Sequence, residues 1–157
     1  MAHIPQIGSP APDFVLAGDD GAPVALADFR GRKLVLYFYP KANTAGCTRE
    51  AMDFTALKDR FAAADTAVLG ISADPAKALQ KFRDKHALGI ALAADPDKAM
   101  LEAYGVWQEK SLYGHKHMGI VRTTLLIDRD GTVAVVWEKV KVPGHAEAVL
   151  QAAEALA

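Results

Sequence analysis

The chain has one cysteine, Cys47, at the end of the stretch P-K-A-N-T-A-G-C that begins at Pro40. A lone thiol can act as a nucleophile or a redox centre, and both uses need the thiolate. Thr44 stands three residues earlier, so T-A-G-C has the spacing of a C-x-x-C redox loop with threonine in place of the first cysteine. Its hydroxyl can turn toward the sulfur or toward an oxygen bound there, or it can cap a turn. Pro40 follows an apolar run directly and can cover the sulfur or simply end the strand. A thiolate also wants a fixed cation. Arg122, which opens R-T-T-L-L-I, is the candidate, against the plainer reading of a solvent-facing arginine at a strand end. Glu50, one turn after Cys47, can orient an arginine or favour a helix start. The competing reading of Cys47 is a buried structural residue, because free cysteines are among the most buried side chains.

Other chemistries have weaker support in the residues. His115 and His117 form H-x-H, which puts both on one face of an extended segment, yet no convincing third metal ligand accompanies them. Cys–His catalysis of the protease type needs a histidine brought to Cys47. The chain has five histidines, so this stays open, although none lies in a recognisable local signature. Neither G-x-x-x-x-G-K nor G-x-G-x-x-G occurs, and no cofactor is expected.

The elements around Cys47 suit a reactive thiol. Leu34 to Tyr39, L-V-L-Y-F-Y, is apolar at every position, as in a strand covered on both faces. After Cys47, Ala51, Phe54, Leu57 and Phe61 repeat at helical spacing in a run from Thr48 to about Ala63. A buried strand thus delivers the chain to a short polar loop and a helix N-terminus, where the first amides lack partners and negative charge is favoured. The C-terminal ends of strands in α/β sheets are also where ligand sites gather.

The rest of the chain supplies further elements. Phe14–Leu16 and Val24–Leu26 read as short strands about an Asp19-Asp20-Gly21 turn, and residues 27–32 as a helical turn closed by Gly31. Thr66–Ser72 and Ile90–Ala93 read as strands. Asp74-Pro75 and Asp95-Pro96-Asp97 read as helix starts, with an aspartate N-cap and a proline in the first turn. These helices run to about His86 and to Tyr104-Gly105. Residues 106–121 show no clear period, and an irregular connection of that length is often functional. Thr123–Asp128 and Val133–Glu138 form a hairpin about R-D-G, and His145–Ala157 is a helix. The expectation is an α/β fold, a mixed central sheet flanked by helices with an N-terminal β-hairpin.

At 157 residues the chain suits one domain, 1–157. A net charge of −1 gives no global attraction to nucleic acid or anionic membrane. No apolar run approaches a membrane span, and the N-terminus shows no leader. A single cysteine excludes an intramolecular disulfide and fits a reducing compartment, so the expected location is cytoplasmic.

These pieces resemble a known family. F-Y-P-K-A-N-T-A-G-C-T-R-E at 38–50 is similar to the peroxidatic motif of the peroxiredoxins, and more narrowly of their bacterioferritin comigratory protein (PrxQ) group. G-S-P-A-P-D-F-V-L, G-V-W-x-E-K-x-x-Y-G-x-x-x-M-G-I at 105–120 and R-T-T-L-L-I-D at 122–128 extend the likeness over nearly the whole chain. The resemblance implies a thioredoxin-like fold and a thiol-dependent peroxidase for hydrogen peroxide and small organic hydroperoxides. It implies Cys47 as nucleophile, Thr44 and Arg122 as the groups that activate the sulfur and orient the O–O bond, and Pro40 as its shield. The product on the protein is then Cys47 sulfenic acid. Many members of the group carry a resolving cysteine five residues after the first, where this chain has Met52. Others place it in the next helix, near Phe82 and Arg83. An external thiol must therefore act as reductant: thioredoxin, glutaredoxin, glutathione or a small-molecule thiol. Monomers or weak homodimers are expected. The alternatives are a monothiol exchanger and a peroxide sensor or redox-regulated binding module without sustained turnover.

Overall fold

The computed structural model describes residues 3–157. Met1 and Ala2, which open the stretch read as lacking a leader, lie outside the described residues. The strand that precedes the Cys47 loop, β3 (Lys33–Phe38), is buried at every position. Alternate residues of a strand point to opposite faces. Val35, Tyr37 and Tyr39 therefore enter one core layer with Cys47, Phe54, Leu79 and Val149, while Leu34, Leu36 and Phe38 enter a second with Leu101, Tyr104, Ile120 and Leu125. Two covered faces are the reason the run is apolar without alternation.

β4 (Thr66–Ser72) lies parallel to β3 on one side, and β8 (Thr123–Ile127) lies antiparallel on the other. β5 (Ala91–Ala94) continues the parallel set, and β9 (Val133–Trp137) pairs antiparallel with β8. The N-terminal hairpin, β1 (Val15–Gly18) and β2 (Pro23–Ala25), joins the β5 edge. The order is β2-β1-β5-β4-β3-β8-β9, the expected mixed sheet with its N-terminal hairpin. One face is covered by α1 (Ala45–Ala56), α2 (Lys58–Ala63), α3 (Ala76–His86) and α5 (His145–Ala155), the other by α4 (Ala99–Ala103). Lys33 ties sheet to helix: its buried ammonium donates to the carbonyls of Ala153 and Leu156 at the end of α5, at 2.6 and 2.7 Å.

The differences from the sequence reading have local causes. The helix read as 48–63 starts at Ala45 and breaks at Leu57 into α1 and α2. Gly46, a poor helix former, hid the first turn, so Cys47 lies inside the helix rather than before it. Asp74 is not an N-cap, since α3 starts at Ala76 after an extended Pro75. The Asp74 carboxylate instead accepts from the Ser72 hydroxyl and the Ala42 amide, at 2.7 and 2.8 Å. Asp95 accepts from the Leu101 amide at 2.8 Å, while Lys98 in a left-handed conformation precedes the short α4. The largest difference lies in residues 106–121. They form a two-stranded sheet, β6 (Trp107–Leu112) and β7 (His115–Ile120). Tyr113 and Gly114 both have positive φ, 50° and 80°, the geometry of a tight two-residue hairpin turn. Most of the hairpin is exposed, so no hydrophobic alternation marks it, and tyrosine is an unusual first turn residue.

Gly70 in β4 leaves room for the ring of Tyr37, whose Cζ would stand 2.7 Å from a Cβ at that position. Both lie in a packed interior, where added atoms force neighbours off their rotamers. Gly70→Ala should lower stability by about 1–3 kcal/mol, measured by urea unfolding. An unchanged midpoint would show that the Tyr37 ring can move aside.

Candidate active site

The loop after β3 is held from several directions. Asp74 takes the Ala42 amide, and His86 Nε2 lies 3.0 Å from Asn43 Oδ1. Asn43 has φ 63°, a left-handed conformation that asparagine tolerates better than most residues. Thr44 is the extended N-cap of α1, and its carbonyl accepts the first helical bond, from the Thr48 amide at 2.9 Å. Its hydroxyl does not cap the helix; it donates to the Lys41 carbonyl at 2.8 Å. The proton is thereby committed, and the threonine oxygen keeps lone pairs free as acceptors.

Cys47 is the third residue of α1 and is 1% exposed. The positive end of the helix dipole and a cation both act there. β8 pairs with β3 so that Thr123 faces Phe38. That register brings Arg122 to the C-terminal end of β3, where the Cys47 loop begins. Arg122 Nη2 donates to Cys47 Sγ at 3.4 Å, and Nη1 donates to Glu50 Oε1 at 2.7 Å. Gly46 makes the approach possible: a Cβ there would lie 3.3 Å from Arg122 Nη2. Burial works against the charge of Arg122, but Glu50 and Cys47 outweigh it and hold the guanidinium more firmly protonated than usual.

Glu50 is also 1% exposed, and its Oε2 has no partner among the described residues. Burial pushes its carboxyl up to about 7, although Arg122 pulls the other way. The hydroxyls of Tyr37 and Tyr39 are likewise buried and without partners among the described residues. His145, the first residue of α5, packs its ring edge-on to Phe54 and Trp137, with Nε2 2.8 Å from Thr124 Oγ1. Burial and then Arg122 lower its pKa to about 4, so its imidazole is neutral at pH 7.

The structure thus joins Cys47, Arg122 and Glu50 directly and sets Thr44 at the start of the same helix. Pro40 follows β3, partly buried, as the first residue of the loop. No histidine hydrogen-bonds Cys47 among the described residues, so nothing here supports Cys–His catalysis of the protease type. His115 and His117 lie on exposed β7, and no further metal-ligating group joins them among the described residues. Met52 is exposed and Phe82 buried at the two places where a resolving cysteine was sought. Arg83 pairs with Asp19 and donates to the carbonyls of Leu88 and Ile90 at 2.8 and 2.7 Å. The role of Asp74 was missed because Asp-Pro is so strong a helix-start signal. Tyr37 and His145 carried no signal beyond that of core and helix residues.

A thiol in the first turn after a central parallel strand, facing an arginine from the adjacent antiparallel strand, defines a thiol enzyme of the thioredoxin fold. The AhpC/TSA family profile matches residues 7–136. Peroxiredoxin Bcp of Bacillus subtilis is 44% identical over 146 residues, covering 93% of each chain. The PrxQ of Xylella fastidiosa superposes with a TM-score of 0.92 at 34% identity, over 99% of this chain and 98% of that one. The bacterioferritin comigratory protein of Xanthomonas campestris, studied for alkyl peroxide reduction, superposes with a TM-score of 0.86 at 41% identity over 90% of each. The chain belongs to the AhpC/TSA family and is a peroxiredoxin of the bacterioferritin comigratory protein (PrxQ) group with a single cysteine. As such it is a thiol-dependent peroxidase.

Two buried groups at this site titrate in opposite senses. Glu50 binds its proton more tightly folded (about 7) than its ordinary value of 4.5, so its contribution is present at low pH and fades as pH rises through 7. His145 binds its proton less tightly folded (about 4) than its ordinary value of 6.5, so its contribution is present above 6.5 and fades as pH falls toward 4. The two work against each other between pH 4.5 and 6.5. Glu50→Gln should therefore gain stability relative to the parent as pH rises from 4.5 to 7. His145→Gln should gain relative to the parent as pH falls from 6.5 to 4. Urea unfolding across this range checks both, and curves parallel to the parent's would refute the assignment.

Proposed function

We propose that the protein reduces hydrogen peroxide and small organic hydroperoxides through Cys47, within one domain spanning residues 1–157. The observation that carries this is the Arg122 guanidinium set between Cys47 Sγ and the buried Glu50 carboxylate. The Cys47 thiolate attacks the hydroxyl oxygen of the peroxide. The O–O bond breaks, the hydroxyl passes to sulfur as sulfenic acid, and the alkoxide or hydroxide leaves and takes up a proton. Thr44, whose hydroxyl donates its hydrogen bond to the Lys41 carbonyl, accepts from the peroxide O–H and turns that oxygen toward the sulfur. Arg122 donates to the oxygen on which charge develops, from a place fixed beforehand by Glu50. Pro40 limits water at the loop. The alkyl peroxide reduction studied in the Xanthomonas relative supports the organic substrates.

The sulfenic acid then needs a thiol from outside, because Met52, Phe82 and Arg83 hold the positions sought for a resolving cysteine. The first thiol forms a mixed disulfide with Cys47 and releases water; a second releases Cys47. Thioredoxin, glutaredoxin and glutathione are the candidate reductants. A thiol that depends on other thiols suits the cytoplasm, and the protein acts there as a monomer or weak homodimer.

Equimolar hydrogen peroxide with a sulfenic-acid trap should label Cys47 alone, read by mass spectrometry. Addition of a thiol panel should give sustained peroxide consumption. Arg122→Met should slow the oxidation step by about 100-fold or more while far-UV circular dichroism stays unchanged. Oxidation at the parent rate would show that the sulfur does not rely on this cation.

A further inference from the structure

One peptide group links Asp74 to the hydroxyl of Thr44. β3 and β4 run parallel, with Phe38 beside Ile71, so the segments that follow their ends are neighbours. Asp74 stands two residues past the end of β4, and Ala42 lies in the loop that follows β3. The Ala42 amide donates to Asp74 Oδ2 at 2.8 Å. The carbonyl of that same peptide group belongs to Lys41, and it accepts from the Thr44 hydroxyl at 2.8 Å. The peptide is planar and trans, so its N–H and C=O point in opposite directions. Holding the N–H toward Asp74 therefore aims the C=O away from it, at Thr44. A carboxylate on the N–H side also polarises the group and makes its oxygen a stronger acceptor.

The carboxylate is itself held. The buried Ser72 hydroxyl donates to the same Oδ2 at 2.7 Å and accepts from the Asp74 amide at 3.3 Å. Thr44, by contrast, is exposed, and the Lys41 carbonyl is the one hydrogen-bond partner of its hydroxyl among the described residues. A hydroxyl carries a single proton on a bond that rotates. Turned the other way, it would present that proton, rather than its lone pairs, to the site.

We propose that Asp74 is a positioning residue for peroxide reduction: through the 41–42 peptide it holds the Thr44 hydroxyl with its proton turned away from the site and its lone pairs toward the peroxide O–H. The inference rests on Cys47 being the peroxidatic sulfur and on Thr44 accepting from the substrate. It adds a residue that acts on the reaction through Thr44.

The test is a double-mutant cycle with two readouts. Single-turnover stopped flow with hydrogen peroxide follows Cys47 oxidation in the parent, Asp74→Ala, Thr44→Val and the double variant. Alkylation by iodoacetamide follows the same sulfur with no peroxide O–H to orient. Asp74→Ala should slow oxidation by about ten-fold or more, with alkylation close to the parent rate. In the Thr44→Val background the same substitution should cost nothing further, because no hydroxyl is left to orient. Asp74→Asn, whose carbonyl oxygen can accept both bonds, should fall between the parent and Asp74→Ala, and it carries the same cycle if the alanine variant does not fold. Losses that multiply in the double variant, oxidation and alkylation slowed alike, or oxidation at the parent rate in Asp74→Ala would each overturn the positioning role and leave the peroxidase reading standing. Oxidation at the parent rate in Thr44→Val would remove the role of the hydroxyl and that of Asp74 with it. A parent that peroxide does not oxidise would refute the peroxidase reading itself.

Discussion

A single guanidinium held between two buried acidic groups organises this molecule. Arg122 spans Cys47 at 3.4 Å and Glu50 at 2.7 Å with its own side chain only 16% exposed. An isolated charge in that place would be costly, and so would either partner without it. The three are stable there only together. Their assembly needs the β3–β8 register, the early start of α1 at Ala45, and a residue at 46 with no side chain in the way. A one-residue slip of β8 would turn its side chains to the opposite face of the sheet and carry Arg122 out of reach of the thiol.

This dependence explains why a glycine stands in the first turn of a helix. In an exposed helix interior, glycine costs about 1 kcal/mol relative to alanine. Gly46 is tolerated because the guanidinium passes over the space that a methyl group would fill. Gly70 follows the same logic one layer deeper, where the Tyr37 ring takes the room. Both glycines have ordinary backbone angles, so it is close approach, and not conformation, that requires them.

What could be read beforehand followed from how locally each feature is encoded. L-V-L-Y-F-Y announced a doubly covered strand because burial on both faces removes alternation, while turn residues marked the N-terminal and C-terminal hairpins and apolar residues at helical spacing marked the helix after Cys47. Thr44 and Glu50 each lie within one helical turn of Cys47, so their spacing alone made them candidates. The join to Arg122 is different in kind. Seventy-five residues separate Cys47 from Arg122, and only strand register brings them together; the sequence marked that arginine as a candidate because it opens a core strand, and the family resemblance added its role. The β6–β7 hairpin escaped because its strands bury little, so pattern had nothing to report. Asp74 escaped because one short sequence, Asp-Pro, serves equally to start a helix and to end a loop.

The lack of a resolving cysteine also bears on why the loop is so firmly held. Asp74 fixes Ala42, His86 meets Asn43, and Arg83 joins the end of α3 to Asp19, Leu88 and Ile90. A chain that brought its own second thiol to Cys47 would have to move some of these contacts, each of which stabilises the arrangement by a fraction of a kcal/mol to about 2 kcal/mol. Here nothing internal has to travel. The peroxide must place one oxygen at a sulfur that is 1% exposed, while the surface beside it, Thr44 to Gly46, is open to solvent. The reducing thiol is larger and has to bring a sulfur in line with Cys47 across that same opening. In a one-cysteine site the second half of the cycle is therefore governed by what surrounds the opening.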